Sequence, residues 1–213
     1  MKPLRMALTK GRLEKDTVKL LEAVGLDCSQ VREKGRRLIL PIGEGEIQVV
    51  LAKAPDVITY IEQGVCDLGV VGKDVIMEQG RRFYEILDLG FGRCRFALAA
   101  PAGVDFYKGY QVKKIASKYP NVSRRFFEGK AMDVEVIKIE GSVELAPLLG
   151  LADGIVDIVE TGATLRENGL EVKETIGEIS ARMIVNTVSL KLRKQEIEGL
   201  AERLQQEIAR RGD

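Results

Sequence analysis

Apolar and polar positions along the chain follow two periods, and the period changes from one segment to the next. Residues Leu4–Thr9 alternate at every second position and place Leu4, Met6 and Leu8 on one face, which predicts a half-buried strand. After Gly11 the apolar positions recur at helical spacing. The same reasoning predicts further strands at Leu38–Pro41, Ile47–Ala52, Leu68–Val71, Ile86–Leu89, Phe96–Ala100, Val134–Ile139, Ile155–Val159, Leu170–Ile176 and Met183–Leu190.

Helical patterns separate most of these strands. A helix is expected from Pro55 to a stop at Gly64, because proline suits the first turn and glycine the C-terminal end. Other helices are predicted at Lys73–Gln79, Val112–Tyr119, Ser123–Lys130, Ser142–Leu149, Thr164–Asn168 and Gln195–Arg210. Strands that alternate with helices indicate an α/β fold with mostly parallel sheets.

The chain contains no low-complexity linker, so a division into two lobes would use short crossings. Phe91–Arg95 and Gly177–Arg182 are the predicted hinges. The first lobe would comprise residues 1–92 plus 180–213, and the second lobe residues 93–179. The C-terminal helix then returns to the first lobe.

Composition and charge limit the partners and the catalytic groups that this chain can use. A net charge of +1 argues against nucleic acid and anionic membranes as partners. The N-terminus has no signal-peptide pattern, and the three cysteines have no metal-ligand spacing, so a reducing, cytoplasmic location is expected. The absence of histidine excludes imidazole bases and histidine-ligated metals. Catalysis would depend on carboxylates, cations, hydroxyls, backbone amides and bound ions.

The segment with the most chemical content follows the apolar run Ile155–Val159, which enters the loop Glu160–Thr164 at the start of a helix. Backbone N–H groups at a helix start attract phosphate, and Gly162 allows close approach. Thr161 and Thr164 add hydroxyl donors, while Ala163 is small. The alternative is a threonine that only caps the helix.

Asp157 lies inside the same apolar strand, where a carboxylate needs a partner. Ribose hydroxyls or magnesium-bound pyrophosphate would supply one. A buried salt bridge to lysine or arginine is the alternative.

These residues resemble the signature of the ATP phosphoribosyltransferase family. The resemblance rests on Gly141–Pro147, Gly150–Asp153, Asp157 and Thr161–Leu165. It extends in the same order to Thr9–Arg12, Gly69–Asp74 and Ser180–Asn186.

The resemblance implies a two-lobed fold like a type II periplasmic binding protein, with the active site in the cleft between the lobes. Thr161–Thr164 would then hold the 5-phosphate of phosphoribosyl pyrophosphate. The long form of the family carries a histidine-binding C-terminal domain, for which this chain has no room. In this respect the chain resembles the short form of the family. That form implies a partner subunit similar to histidyl-tRNA synthetase, with a homodimer inside a hetero-oligomer.

A second cluster is basic. Lys10 and Arg12 flank the flexible Gly11 after the first predicted strand, so their charges can converge on a polyphosphate. A solvated basic turn is the alternative. We expect Arg12 and Arg36 to neutralise pyrophosphate, with Lys53 assisting at the ATP side.

A third group, Gly72 and Asp74, follows the predicted strand Leu68–Val71. The functional interpretation is a contact to nucleotide or ribose in the cleft. The alternative is that Asp74 only caps the next helix.

The reaction implied by the resemblance is attack of the adenine N1 of ATP on C1 of phosphoribosyl pyrophosphate, the first step of histidine biosynthesis. N1 already carries a free lone pair, so orientation and charge stabilisation at the leaving group suffice. Mg²⁺ would be bound mainly through pyrophosphate oxygens, with Glu144 and Asp157 orienting ribose hydroxyls or metal-bound water. Arg12, Arg36 and Asp157 are the predicted catalytic residues.

Two other functions stay open on sequence grounds. One is a non-catalytic small-molecule-binding module on the same fold, because fold alone does not decide function. The other is a different phosphoribosyltransferase. The commoner class has two adjacent acids before its phosphate loop, whereas Asp157 and Glu160 are separated here.

Overall fold

The computed structural model describes residues 2–80 and 82–212. Met1, Arg81 and Asp213, which the predicted first lobe includes, lie outside the described residues. The chain divides into two compact units. The second unit is Arg93–Ile179, and the first contains the segments that end at Gly92 and resume at Ser180.

Strands make up the centre of both units. Their bounds are β1 Leu4–Thr9, β2 Ile39–Ile42, β3 Ile47–Ala52, β4 Leu68–Gly72, β5 Phe83–Asp88, β6 Cys94–Pro101, β7 Lys113–Ser117, β8 Val134–Lys138, β9 Gly154–Val159, β10 Leu170–Ile179 and β11 Ala181–Asn186.

Helices connect most of the strands. Their bounds are α1 Arg12–Ala23, α2 Ser29–Arg32, α3 Ala54–Glu62, α4 Lys73–Gln79, α5 Pro120–Glu128, α6 Leu145–Leu148, α7 Ala163–Glu167, α8 Thr187–Leu192 and α9 Lys194–Gly212.

The first unit is a six-stranded sheet with the order β2-β3-β1-β4-β11-β5. Leu4, Met6 and Leu8 of β1 are buried on one face, as predicted, where α1 and α9 cover them. Ala7 faces the opposite side with the apolar stripe of α3. Both faces of this sheet are therefore covered, which is the usual arrangement around parallel strands.

The second unit is a five-stranded sheet with the order β10-β6-β9-β7-β8. Ile155 and Val159 of β9 are buried together with Val143, Ala146 and Leu165 from the segments around α6 and α7. The strand that precedes the predicted phosphate loop is thus held in the interior of its own unit.

The expectation of mostly parallel sheets is wrong. β3, β1 and β4 are parallel neighbours, as are β9, β7 and β8, but β2, β11, β5, β6 and β10 pair with antiparallel neighbours. Parallel neighbours need a long crossover connection, whereas antiparallel neighbours can be joined by a short turn. Such a turn joins β2 to β3. The other antiparallel neighbours, such as β4 with β11 and β6 with β9, are distant in sequence, so helix–strand alternation does not reveal their relative direction.

Most element types are confirmed with small shifts at their ends. The closing helix buries Ile197, Leu200 and Leu204, the inner stripe that its periodicity predicts.

Two predicted elements are wrong. The predicted helix Val112–Tyr119 is the strand β7, whose Ile115, Ala116 and Ser117 are all fully buried between β8 and β9. Tertiary pairing overrides the helical preference of its lysine and alanine residues. The predicted strand Met183–Leu190 ends at Asn186, because the Asn186 side chain accepts hydrogen bonds from two backbone N–H groups of α8.

Candidate functional site

The loop after β9 has the backbone conformation that a close anion approach requires. Gly162 is the residue before α7 and has φ 72° and ψ 11°, in the left-handed region that disfavours side chains. Thr161, Ala163 and Thr164 are exposed, while Val159 at the end of β9 is buried. The loop is therefore fixed to the core at one end and accessible to a ligand along its length.

Internal hydrogen bonds shape this loop. The Ala163 N–H donates to Thr161 Oγ1 at 3.3 Å, and Arg166 Nη1 donates to the Thr161 carbonyl at 3.2 Å. The second bond brings a guanidinium to the base of the loop. Because Gly162 occupies the cap position, the alternative of Thr161 as the N-cap residue of α7 is not what the structure shows.

Asp157 lies half-buried on β9, directly opposite Ala97 of β6. Residues directly opposite each other share one face of a sheet, so Asp157, Val159 and Arg95 project to the same side. Arg95 is opposite Val159, which immediately precedes the loop. The register thus places a carboxylate and a guanidinium beside the start of the loop.

Sequence reasoning missed Arg95, which it assigned only to a hinge. Its Nε is buried and has no hydrogen-bond partner among the described residues. Buried polar atoms are nearly always paired, so an unpaired guanidinium nitrogen calls for an explanation. The one available signal was a single cation at the start of the apolar run Phe96–Ala100.

Glu144 lies at the same edge of the second sheet. It is half-buried and directly precedes α6, after the segment that leaves the C-terminal end of β8. Since β8, β7 and β9 are parallel, that segment and the phosphate loop emerge at one edge. At the start of the segment, a hydrogen bond from Lys138 lowers the pKa of the exposed Glu140 carboxyl.

The first unit brings together a second set of predicted residues. Lys10 follows β1, Lys53 follows β3 and Gly72 ends β4, and these three strands are parallel neighbours. Their C-terminal ends therefore lie side by side at one edge, the position where α/β sheets bind ligands. Arg36 reaches the same edge, because the Leu38 carbonyl just before β2 accepts from the backbone N–H of Leu51 in β3 at 2.8 Å.

Lys10, Arg36 and Lys53 have no acidic partner among the residues that the structure describes. Within the described part of the chain, no hydrogen bond or ion pair involves the side chains of Lys10, Arg36 or Lys53, and all three are exposed. Arg12 is also exposed, at the first position of α1, after Gly11 with φ 104°. The uncompensated charges of Lys10, Arg36 and Lys53 favour an anionic ligand at this edge.

Asp74 is turned back toward its own helix. It lies in the first turn of α4, and its carboxylate occupies the space that a Cβ on Gly72 would need. Its neighbour Lys73 forms an ion pair with Glu85. Gly72 leaves room for this carboxylate. An acid in the first turn also interacts favourably with the positive end of the helix dipole, so Asp74 has a local structural role besides any contact with substrate.

Two further observations concern ligands and membranes. Among residues 2–80 and 82–212, no group of three or more His, Cys, Asp or Glu side chains is placed to hold a metal ion. No helix in those ranges is long and apolar enough to cross a bilayer.

Comparison with known proteins identifies relatives of the whole chain. The family model described as "HisG: ATP phosphoribosyltransferase" matches residues 53–206. An ATP phosphoribosyltransferase of Clostridium kluyveri is 58% identical over 205 residues, covering 96% of this chain and 94% of the relative. One from Clostridium acetobutylicum is 54% identical over 209 residues, covering 98% and 97%.

Two solved structures resemble this chain in fold. The ATP phosphoribosyl transferase (HisG:HisZ) complex from Thermotoga maritima contains a chain with a TM-score of 0.82 and 34% identity, covering 97% of this chain and 99% of that one. The periplasmic aliphatic sulphonate binding protein SsuA of Escherichia coli has a TM-score of 0.61 at 14% identity, covering 98% and 73%. The second likeness concerns the fold alone and supports the predicted two-lobed, periplasmic-binding-protein-like class.

Proposed function

The chain belongs to the ATP phosphoribosyltransferase family. We propose that the loop of the second unit and the cations of the first unit bind different parts of its two substrates. The enzyme condenses ATP with phosphoribosyl pyrophosphate in the first step of histidine biosynthesis. In our proposal the loop Glu160–Thr164 binds the 5-phosphate of the donor. The basic edge formed by Lys10, Arg12, Arg36 and Lys53 binds pyrophosphate and the ATP phosphates.

The observation that carries the proposal is the conformation of the loop at Gly162. A left-handed residue without a side chain lets successive backbone N–H groups turn toward one point, which creates a concave anion site. The exposed hydroxyls of Thr161 and Thr164 add donors, and Arg166 adds positive charge at the base. Such a combination suits a phosphate monoester.

The cations of the first unit account for catalysis. As adenine N1 bonds to C1 of the ribose, the bond from C1 to pyrophosphate breaks and negative charge accumulates on the leaving oxygen. Arg12 and Arg36 would stabilise that charge, and Lys53 would orient the ATP phosphates. Gly11 keeps the backbone open at the end of β1, and Gly72 and Asp74 are candidate contacts for the nucleotide.

Asp157 and Glu144 serve the ribose in this proposal. Both lie half-buried at the edge where the phosphate loop emerges, and carboxylates accept hydrogen bonds from ribose hydroxyls. Arg95 would complete the group, since its buried Nε needs an acceptor and the adjacent loop is where the 5-phosphate would lie.

Magnesium fits this site as part of the substrate. Mg²⁺ usually keeps several waters and takes one or two carboxylates together with substrate phosphates. Asp157 and Glu144 offer that number of carboxylates at one edge of the second unit. When bound, the ion would withdraw charge from the pyrophosphate oxygens.

A regulatory partner is also proposed. The similar chain from Thermotoga maritima was solved in a HisG:HisZ complex, and it is matched over 99% of its length. We infer that this chain works as a homodimer inside a hetero-oligomer that also contains a regulatory subunit similar to histidyl-tRNA synthetase. Pyrophosphate release measured with and without that subunit tests this, and equal rates with no complex on a sizing column would contradict it.

The binding-module alternative has no support from the relatives, which are named as enzymes over nearly the full chain. The decisive test of the site is pyrophosphate release by Arg12→Ala and Arg36→Ala. We expect turnover to fall by roughly a hundredfold or more, the scale of losing one stabilising group at a developing charge.

Lys15→Ala is the matched control, because Lys15 is an exposed cation one turn after Arg12. It should lower turnover by less than about twofold, because an exposed charge that does not contact the substrate is screened by salt. Equal effects of Arg12→Ala and Lys15→Ala would show that only net charge matters and would contradict the assigned role.

A further inference from the structure

Glu14 is a buried carboxylate that the proposed reaction does not use. It lies in the first turn of α1 and is only 6% exposed. One oxygen, Oε2, accepts from the backbone N–H of Gly11 at 3.3 Å, and the other, Oε1, forms an ion pair with Nζ of Lys34. A single side chain thus joins two segments separated in sequence by 20 residues.

Both segments carry residues of the basic edge. Gly11 lies between Lys10 and Arg12. On the other side, the Lys34 carbonyl accepts from the backbone N–H of Arg37 at 3.0 Å and from its Nε at 3.3 Å, which closes a turn around Arg36. Lys34 therefore fixes the turn that presents Arg36.

Helix capping alone does not explain this arrangement. A capping box needs only the bond from Gly11 to Glu14, whereas here the second oxygen binds Lys34 as well. Buried ion pairs often add little net stability, because desolvation offsets their attraction. Stability alone therefore does not account for the pair, and its two partners suggest a role in fixing geometry.

We propose that Glu14 is a positioning residue. Through Gly11 and Lys34 it holds the turn of Arg12 and the turn of Arg36 in one arrangement, so that both guanidinium groups meet the same pyrophosphate. This inference rests on the proposed assignment of Arg12 and Arg36 to pyrophosphate.

The sign of the effect separates positioning from simple electrostatics. Glu14→Gln removes a negative charge near the basic edge, which by itself would tighten the binding of an anion. If Glu14 positions the two turns, the same substitution weakens binding instead. Lys34→Met breaks the same pair from its less buried side, since the Lys34 side chain is 34% exposed and that of Glu14 only 7%.

The experiment compares Glu14→Gln, Lys34→Met and the double variant in the intact enzyme with its regulatory subunit. KM for phosphoribosyl pyrophosphate, turnover, inhibition by added pyrophosphate and thermal unfolding are measured for each. We expect KM and the pyrophosphate inhibition constant to rise between about tenfold and a hundredfold in each single variant. The double variant should be no more than about twofold worse than either, because both remove one linkage.

Glu207→Gln is the matched control. Glu207 is 9% exposed on α9 of the same unit and is paired with Arg210 and Arg211. It should reproduce any loss of thermal stability without changing KM.

Tighter or unchanged binding in Glu14→Gln, while Arg12→Ala and Arg36→Ala still lose turnover, would overturn the inference and leave the proposed function intact. Additive losses in the double variant would also overturn it. Unchanged turnover in Arg12→Ala and Arg36→Ala would overturn the site assignment itself, and the inference with it.

Discussion

Gly162→Ala tests the phosphate loop against a control from the same helix. Gly162 precedes α7 with φ 72°, and Gly169 follows it with φ 67°. Both substitutions force alanine into the left-handed region, at a cost of about 1–2 kcal/mol each. Only Gly162 lies in the proposed 5-phosphate loop.

The added Cβ meets different surroundings at the two positions. At Gly162 it would lie 3.3 Å from Nη1 of Arg166, the group that donates to the Thr161 carbonyl, so this guanidinium must move by a few tenths of an ångström. At Gly169 the added Cβ would have no heavy atom of the described residues within 4 Å apart from those of its two chain neighbours. Losing one hydrogen bond to a charged phosphate costs about 1.5–3 kcal/mol, or roughly a ten- to hundredfold rise in KM.

Steady-state pyrophosphate release and thermal unfolding give the two readouts. Both variants should lower Tm by about 2–4 °C for each kcal/mol lost. Gly162→Ala alone should raise KM for phosphoribosyl pyrophosphate, with KM for ATP changed far less. Equal KM values in the two variants would refute the assignment of this loop to the donor phosphate.

Three further outcomes concern stability. Asn186→Ala should lower the free energy of unfolding by about 2–3 kcal/mol in urea titration, because its buried side chain caps α8 and donates to a carbonyl of α3; a loss under 0.5 kcal/mol would contradict this. Gly69→Ala should cost about 1–3 kcal/mol in the same assay, since a Cβ would lie 2.9 Å from Cγ1 of Val57, and wild-type stability would show that the core adapts. Burial raises the pKa of the Cys28 and Cys66 thiols to about 11 from 9.0. The thiols of the unfolded chain therefore ionise at lower pH than those of the folded chain, so the free energy of unfolding should decline as pH rises from 9 toward 11. Replacing both cysteines by alanine should remove that part of the decline.

Local sequence pattern was sufficient for elements with strong periodicity. The strands at β1 and β3 and the helix α4 have the predicted bounds, because alternation, flanking glycine and helical spacing all agree there. It was insufficient for β7, where Lys113–Ser117 has no strand-like composition and becomes a strand only by pairing with β8 and β9.

The candidate site divides in the same way. The loop Glu160–Thr164 and the turn Lys10–Arg12 are readable from sequence, because their chemistry is concentrated in consecutive residues next to a recognisable strand. Arg95 was not readable, since its place opposite Val159 depends on the register of two strands far apart in the chain.

By itself the sequence determined most element types, the position of the candidate phosphate loop and a family resemblance that the relatives confirm. Only the tertiary structure decided that Lys10, Lys53 and Arg36 share one sheet edge and that Glu14 pairs with Lys34. The physical reason is the range of the forces involved. Backbone propensity and hydrophobic period act over a few neighbouring residues, whereas strand order and buried ion pairs arise from contacts between residues distant in sequence.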